Sequence, residues 1–551
     1  MRLYGLKFLV HCVTPCLLLC AFSGCTNATG GPSGRAAVTV TVDPSSMHPI
    51  SPYIYGINNA STIDDLPTAL TLDRAGGNRS TAYNWETNAS NAGRDYLYQN
   101  DNSASSSKES GAAISALIAK DQKNNMASIE TVQMQGLVAG DVSGPVSVAN
   151  PPDKTRFRKV IYEKKTVSNE PFTVTPSVSD DYVYMDEFIW ALDQKFKGQN
   201  IFGAKPSTQH VFVSLDNEPE LWNTTHLEIQ GKTGITADSY IARTVSLATA
   251  LKKQFPDLVI FGPVHYGFFG IYSWNGEIST TPSGSNWFTD KYLAALRAAS
   301  TAFGRPLVDV YDFHWYPEAT DGAGMRVTTL MSPTLTDDQV QAIVQSPRSL
   351  WDKTYVEKSW ITNTLRQPID MLDRLQTRID AENRGMKLAI TEYDNGGGQH
   401  IAGTIAQADN LGVFGAHALF AASMWLLGPK EPYSLAGFRA FRNFDGANHH
   451  FGDTSIQATS SNVANVAVYV STDSSRAGRV VMVAINRSPL DQVASITGQP
   501  LAGTAHLFQM TAATAAKQST VRPVPAGVQP VSGSSITLTL PALSVTTVDI
   551  Y

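Results

Sequence analysis

From about residue 51 to residue 432, short apolar, β-branched runs take turns with stretches of helical periodicity. Strands read at 53–59, 127–136, 209–213, 258–266, 307–317, 387–391 and 419–427. Helices read at 110–124, 184–196, 239–255, 287–302, 368–382 and 404–417, with a further helical reading at 65–71. Parallel strands joined by helical crossovers are the arrangement that such alternation permits, and a count of about eight strands predicts an α/β fold of the (β/α)8 barrel type. Residues 74–88, rich in Gly, Asn and aromatics, suit a loop lining a cleft.

Two of these strands end in carboxylates. The run Gln209-His-Val-Phe-Val leads into Ser214-Leu-Asp-Asn-Glu-Pro-Glu-Leu-Trp-Asn-Thr-Thr-His226. Far downstream, Met386-Lys-Leu-Ala-Ile delivers Thr391-Glu-Tyr-Asp-Asn-Gly-Gly-Gly398. By strand order the first is the fourth of the barrel and the second the seventh. Catalytic side chains of a parallel barrel gather at the strands' C-terminal mouth, and two carboxylates there are what glycoside hydrolysis requires. Glu218 is expected to be the general acid and then the base. Its raised pKa would come from an apolar pocket and the opposed charge of Glu392. Glu392 is expected to be the nucleophile, oriented by Tyr266 and His314. Asn217 is placed to donate to a sugar hydroxyl. Trp85, Trp222, Trp315, Tyr316, Trp360 and Trp425 are candidate platforms for the apolar faces of sugar rings, and Asn78 and Tyr393 complete the expected substrate-binding set.

Other chemistries lack their signatures. No His-Glu-x-x-His or cysteine cluster indicates zinc, no phosphate-binding glycine loop follows a strand, and no Gly-x-Ser-x-Gly elbow occurs. A net charge of −6 argues against a nucleic-acid partner. Glu86, Asp181 and Asp186 are candidate oxygen ligands for a structural calcium.

After residue 453 the texture changes to closely spaced strands without comparable helices, the mark of a β-sandwich. Residues 36–50 carry an alternating strand outside the barrel and are expected to join that sandwich, which leaves 51–453 to the barrel and 454–551 to the accessory domain. Residues 1–25 read as an export signal, with Arg2 and Lys7 ahead of an apolar stretch too short to span a membrane. All four cysteines lie in it, so the mature chain forms no internal disulfide. Phe22-Ser-Gly-Cys25 resembles a bacterial lipoprotein cleavage site, which would make Cys25 the lipidated first residue; free secretion is the alternative. Residues 26–35, rich in Gly, Ser and Asn, read as a flexible tether.

Several long motifs, in order, resemble glycoside hydrolase family 44. They are Leu215-Asp-Asn-Glu-Pro-Glu-Leu-Trp222 with Thr225-His226, Gly76-Gly-Asn78, Tyr83-Asn-Trp-Glu86, Ser90-Asn-Ala-Gly93 and Arg348-Ser-Leu-Trp-Asp352. Thr391-Glu-Tyr-Asp394, Phe441-Arg-Asn-Phe-Asp-Gly446 and Phe451-Gly-Asp-Thr454 continue the series. The resemblance implies a barrel with a β-sandwich and endo-acting, retaining cleavage of β-1,4-glucans such as carboxymethylcellulose and xyloglucan. It implies the acid/base role for Glu218 and the nucleophile role for Glu392. It also implies a possible bound calcium but no cofactor required for the chemistry.

The expected partner is therefore a β-glucan polysaccharide, met by a monomer that touches a membrane only through a lipid on Cys25. The competing readings are a related barrel glycosidase acting mainly on xylan or mannan, and a non-catalytic polysaccharide-binding lipoprotein.

Overall fold

Eight parallel strands close into a barrel in the order of the chain: Gly56–Asn58, Leu72–Ala75, Ala127–Val132, Val211–Leu215, Ile260–His265, Val310–Trp315, Lys387–Tyr393 and Ala421–Met424. The last pairs with the first, Ser423 beside Gly56, so the sheet has no edge. The structure is a computed structural model and describes residues 37–281, 284 and 286–551; the expected export signal and tether fall outside the described residues. Among the described residues no helix is long and apolar enough to cross a membrane.

The strands read as near-continuous apolar runs because both of their faces are buried. In the fourth strand Phe212 points into the barrel, where it meets Phe261 and Phe420 at ring separations of 5.7 and 5.8 Å, while Val211, Val213 and Leu215 pack outward with the helices. This aromatic plug fills the N-terminal end of the barrel, so an open cleft is left to the C-terminal mouth. The expected helices appear as Ala112–Lys123, Met185–Lys195, Ala237–Gln254, Phe288–Phe303, Met371–Glu382 and Ile401–Ala416.

One element departs from expectation. No helix forms over residues 65–71, and the second barrel strand, Leu72–Ala75, occupies the start of the segment that read as a cleft loop. It is only four residues long and carries Asp73 and Arg74. Arg74 reaches the catalytic centre instead of adding to an apolar pattern, which is why the hydrophobic signal fails there.

The strands from Thr454 onward form a second sheet system with Val38–Pro49, as the alternation at the N-terminus predicted. Gln492–Met510 links its two layers. It pairs with Val38–Thr41 near its start and with Ser544–Ile550 at its end. Val38, Val40, Val42, Val470, Met482, Ile496, Leu538 and Val548 fill the space between. The barrel and this unit share buried polar contacts, chief among them Arg487 with Asp409, both side chains fully buried.

Candidate active site

The fourth strand ends in a strained turn. Asp216 and Glu218 both adopt left-handed backbone conformations, φ 66° and 42°, which cost an L-residue about 1–3 kcal/mol each unless the surroundings enforce them. Asp216 supplies that enforcement. Its carboxylate accepts the Thr81 hydroxyl at 2.6 Å and the backbone N–H groups of Met134, Gln135 and Asn217 at 2.5, 2.9 and 2.8 Å. The Glu218 N–H donates to the Val264 carbonyl of the fifth strand at 3.1 Å. Pro219 then starts a short 3-10 turn that ends the excursion.

Glu392, on the seventh strand, is held from three sides. Arg74 Nη1 donates to its Oε1 at 2.7 Å and the Tyr316 hydroxyl to its Oε2 at 2.9 Å. His314 Nδ1 lies 3.4 Å from that Oε2 and 2.8 Å from Glu218 Oε1, bridging the two carboxyls. Arg74 is fully buried and also donates to Asn58 Oδ1 at 3.1 Å and Asn217 Oδ1 at 2.9 Å. Asn58 Nδ2 in turn donates to the Thr391 carbonyl at 2.8 Å. Strands one, two, four, six and seven are thus tied into one network around Glu392. One carboxylate oxygen of Glu218, one of Glu392 and a ring nitrogen of His314 all lie within 4.8 Å of one another.

The electrostatics separate the two glutamates. Burial pushes the Glu218 carboxyl up to about 8, the negative charge of Glu220 adds to the effect, and Arg74 opposes it. The expected charge effect from Glu392 is thus supplied by Glu220. Glu392, by contrast, has a guanidinium and a phenol as donors. Burial lowers His314 to about 3, so the bridging imidazole is neutral at ordinary pH. Burial and the facing glutamates raise the Tyr316 phenol well above its usual range, keeping it a donor.

Two walls flank the carboxyls. Tyr266, Phe268, Phe269, Trp315, Tyr316 and Trp360, from the mouths of the fifth and sixth strands, line a cavity of about 370 Å³ that includes Glu218. Asn78, Tyr83, Asp95 and Trp425 belong to a second cavity of about 510 Å³ at the mouths of strands one, two, three and eight. In an eight-stranded ring these two sets face each other, so Glu218 on strand four and Glu392 on strand seven stand on opposite sides of the groove between them. Trp425 lies over Gly77, where φ is +87° and a Cβ would come within 2.7 Å of the indole; the glycine is required by that contact. Asn78 Nδ2 donates to Asp95 at 3.0 Å on this wall.

Five expectations need correction. Trp85 is buried, stacked on Phe188 at 5.5 Å with Nε1 donating to the Tyr184 carbonyl. Trp222 is equally buried and donates to the Asn217 carbonyl at 3.2 Å, bracing the catalytic turn from behind. Tyr393 points away from the groove, its hydroxyl accepting from Gln407 at 2.9 Å, because neighbours along a strand face opposite sides. These three offer no ring face to a sugar, and the orienting phenol on Glu392 is Tyr316, with Tyr266 on the Glu218 wall. The calcium trio does not converge either. Asp181 is exposed, and both Asp186 oxygens accept the Lys164 N–H at 3.1 and 3.0 Å. Glu86 is buried, its Oε1 without a hydrogen-bond partner, and burial with the charges of Asp180 and Glu187 pushes it up to about 9.

Arg74, Asn58 and Asp216 were not legible as site residues. The one signal for Arg74 was a cation inside a very short run before Gly76-Gly77, a poor place for a surface charge.

A closed parallel barrel with two opposed glutamates at its C-terminal mouth, one retaining its proton and one clasped by donors, defines a glycoside hydrolase. The comparisons with known proteins agree. Residues 89–319 match the model of glycoside hydrolase family 44. The chain is 35% identical over 526 residues to endoglucanase A of Paenibacillus lautus, covering 92% of this chain and 71% of that protein. It is 35% identical over 466 residues to the beta-mannanase/endoglucanase A of Caldicellulosiruptor saccharolyticus, covering 80% of this chain but only 33% of that longer protein. The family 44 xyloglucanase of Paenibacillus polymyxa, solved with xyloglucan, superposes with a TM-score of 0.83 at 32% identity, over 93% of this chain and 99% of the other. The chain belongs to glycoside hydrolase family 44.

Proposed function

We propose that this protein cleaves internal β-1,4 bonds of glucan chains, xyloglucan and cellulose-type polymers, with retention of anomeric configuration. The observation that carries the reading is the closeness of the carboxyl oxygens, within 4.8 Å. Retaining pairs stand about 5–5.5 Å apart, whereas an inverting pair needs about 6.5–9.5 Å to admit a water. Glu392 attacks the anomeric carbon, with Arg74 and Tyr316 fixing its two oxygens. Glu218, still protonated at neutral pH, gives its proton to the departing glycosidic oxygen. Water then enters, Glu218 takes a proton from it, and the glycosyl–Glu392 ester is cleaved. Because Asn217 Oδ1 already accepts from Arg74 and from the Gly77 N–H, its amide N–H donors are left for a sugar hydroxyl. The chemistry needs no cofactor. The groove between two walls suits an internal chain segment, and the family 44 relatives named as an endoglucanase and a xyloglucanase support the choice of polymer.

The same reading has the protein exported, tethered by a lipid on Cys25 or secreted, and acting alone on its polysaccharide. A structural calcium, if bound, would draw on Glu86, whose Oε1 is buried with no hydrogen-bond partner. Reducing-end release on xyloglucan, carboxymethylcellulose, xylan and mannan, with the anomer of the first product read by NMR, tests the proposal. Turnover on xyloglucan or carboxymethylcellulose giving the β-anomer first supports it. An α-anomer overturns the retaining mechanism, and turnover mainly on xylan or mannan overturns the substrate. Binding without turnover on any of the four overturns catalysis. Fractionation of cells carrying Cys25→Ser tests the anchor, which predicts release of the protein from the membrane fraction.

A further inference from the structure

Beside the acid/base glutamate lies a second buried carboxylate that the reaction does not use. Glu220 follows Glu218 by two residues, and its Oε1 is hydrogen-bonded to Nδ1 of His265; both side chains are fully buried. Glu220 Oε2 and His265 Nε2 have no hydrogen-bond partner. Trp274, Phe288 and Tyr311 wall the imidazole at ring separations of 6.1, 5.2 and 5.9 Å. Gly270 packs so closely on the pair that a Cβ there would collide with the Glu220 carboxyl and press against the His265 ring. An acid and an imidazole in an aromatic pocket, each with an unsatisfied atom, lose hydration that their mutual bond repays poorly. Stability is a weak reason for such a pair, so its position decides the reading.

The pair joins two strained backbones. Val264 is left-handed at φ 62°, a rarity for a β-branched residue, and its carbonyl accepts the N–H of the equally left-handed Glu218. Glu220 extends from the turn just after Glu218, and His265 directly follows Val264. The Glu220–His265 bond therefore clamps the fourth and fifth strand ends in the register that presents Glu218. The Glu218 carboxyl faces Glu220, Arg74, Asp95, His314, Tyr266 and Tyr316, with Glu392 across the groove. Of these, Glu220 has the largest charge effect on it, second only to burial. Glu220 itself faces His265 and the phenols of Tyr240, Tyr266 and Tyr311.

We propose that Glu220 and His265 are positioning residues that hold the backbone and charge environment of Glu218, and so fix the alkaline limit of activity. The inference rests on Glu218 being the acid. It is tested by kcat/KM profiles across the acid to alkaline range for the wild type, Glu220→Gln and Glu220→Ala/His265→Leu. The double variant replaces the pair by apolar groups should the single one fold poorly. Two substrates are needed, a soluble β-glucan and 2,4-dinitrophenyl cellobioside, whose leaving group departs without a proton. On the glucan the alkaline limb is expected about one pH unit lower in both variants, with the acid limb in place; on the dinitrophenyl glycoside no such limb is expected. A glucan limb that stays put in folded variants, with activity intact or reduced equally at every pH, overturns the proposal. An alkaline limb that persists on the dinitrophenyl glycoside overturns the acid assignment of Glu218 itself, and the role of the pair with it.

Discussion

Glu218 titrates near 8 instead of the usual 4.5 for a glutamate, chiefly because it is buried. The catalytic advantage carries a stability cost whose sign follows from linkage. A folded-state pKa above the unfolded one means that the folded protein holds the proton more tightly. The stability so gained is fully present below about pH 4.5 and is lost as pH rises through about 8. At about 1.4 kcal/mol per pH unit, the whole loss amounts to about 5 kcal/mol. The side chain is 16% exposed, so solvent screens it little. Glu218→Gln keeps the shape and removes the titration. Its hydrolysis of polysaccharide should fall by about 10²- to 10⁴-fold. Relative to wild type, its unfolding free energy should rise by up to about 5 kcal/mol between about pH 5 and pH 9. Urea denaturation followed by tryptophan fluorescence at intervals over that range reads the difference. Other raised carboxyls, Glu130 and Asp121 among them, occur in both proteins and cancel. Parallel curves for the two proteins would refute the reasoning, for they would mean that Glu218 is not held protonated by the fold.

Three further outcomes are expected. Arg74→Met removes the buried cation from Glu392, Asn58 and Asn217; hydrolysis should be lost and unfolding become easier by about 3–5 kcal/mol in denaturant titrations, and Arg74→Lys should not restore activity, because one ammonium does not reproduce the planar fork. Glu130 is buried with no partner on either oxygen, and burial raises it far above the usual carboxylate range; Glu130→Gln should leave stability at neutral pH within about 1 kcal/mol of wild type and increase it as pH rises. Trp85→Ala should cost about 3–5 kcal/mol in thermal or denaturant unfolding without changing KM, whereas Trp360→Ala, at a ring 41% exposed on the cleft wall, should raise KM and leave stability near wild type.

The order of elements was legible because a parallel barrel imposes one requirement on every strand: both faces are buried, so each becomes an apolar run. Glu218 and Glu392 were legible for a related reason, since a carboxylate directly after such a run has nowhere to go but the mouth. The strand carrying Arg74 escaped notice because its inward side chain is the site itself, and polarity there imitates a loop. The aromatics divided in the same way. Trp85, Trp222 and Trp360 all stand in polar surroundings along the chain, yet the first two have donor partners and packing surfaces waiting in the interior, while the third meets Phe268 and Phe269 at the cleft edge.

By itself the sequence determined the alternation of strands and helices, the addition of an N-terminal strand to a C-terminal β unit, and the strands on which the two glutamates end. These are properties of local pattern, repeated along the chain and readable without knowing what lies across from what. Only the tertiary structure decided that the glutamates approach within 4.8 Å, that His314 bridges them, that Arg74 and Tyr316 clasp one and Glu220 charges the other. Those facts depend on barrel closure. It brings residues 74, 218, 314 and 392 into one shell although more than three hundred positions separate the first from the last, and no local signal encodes a distance between strands.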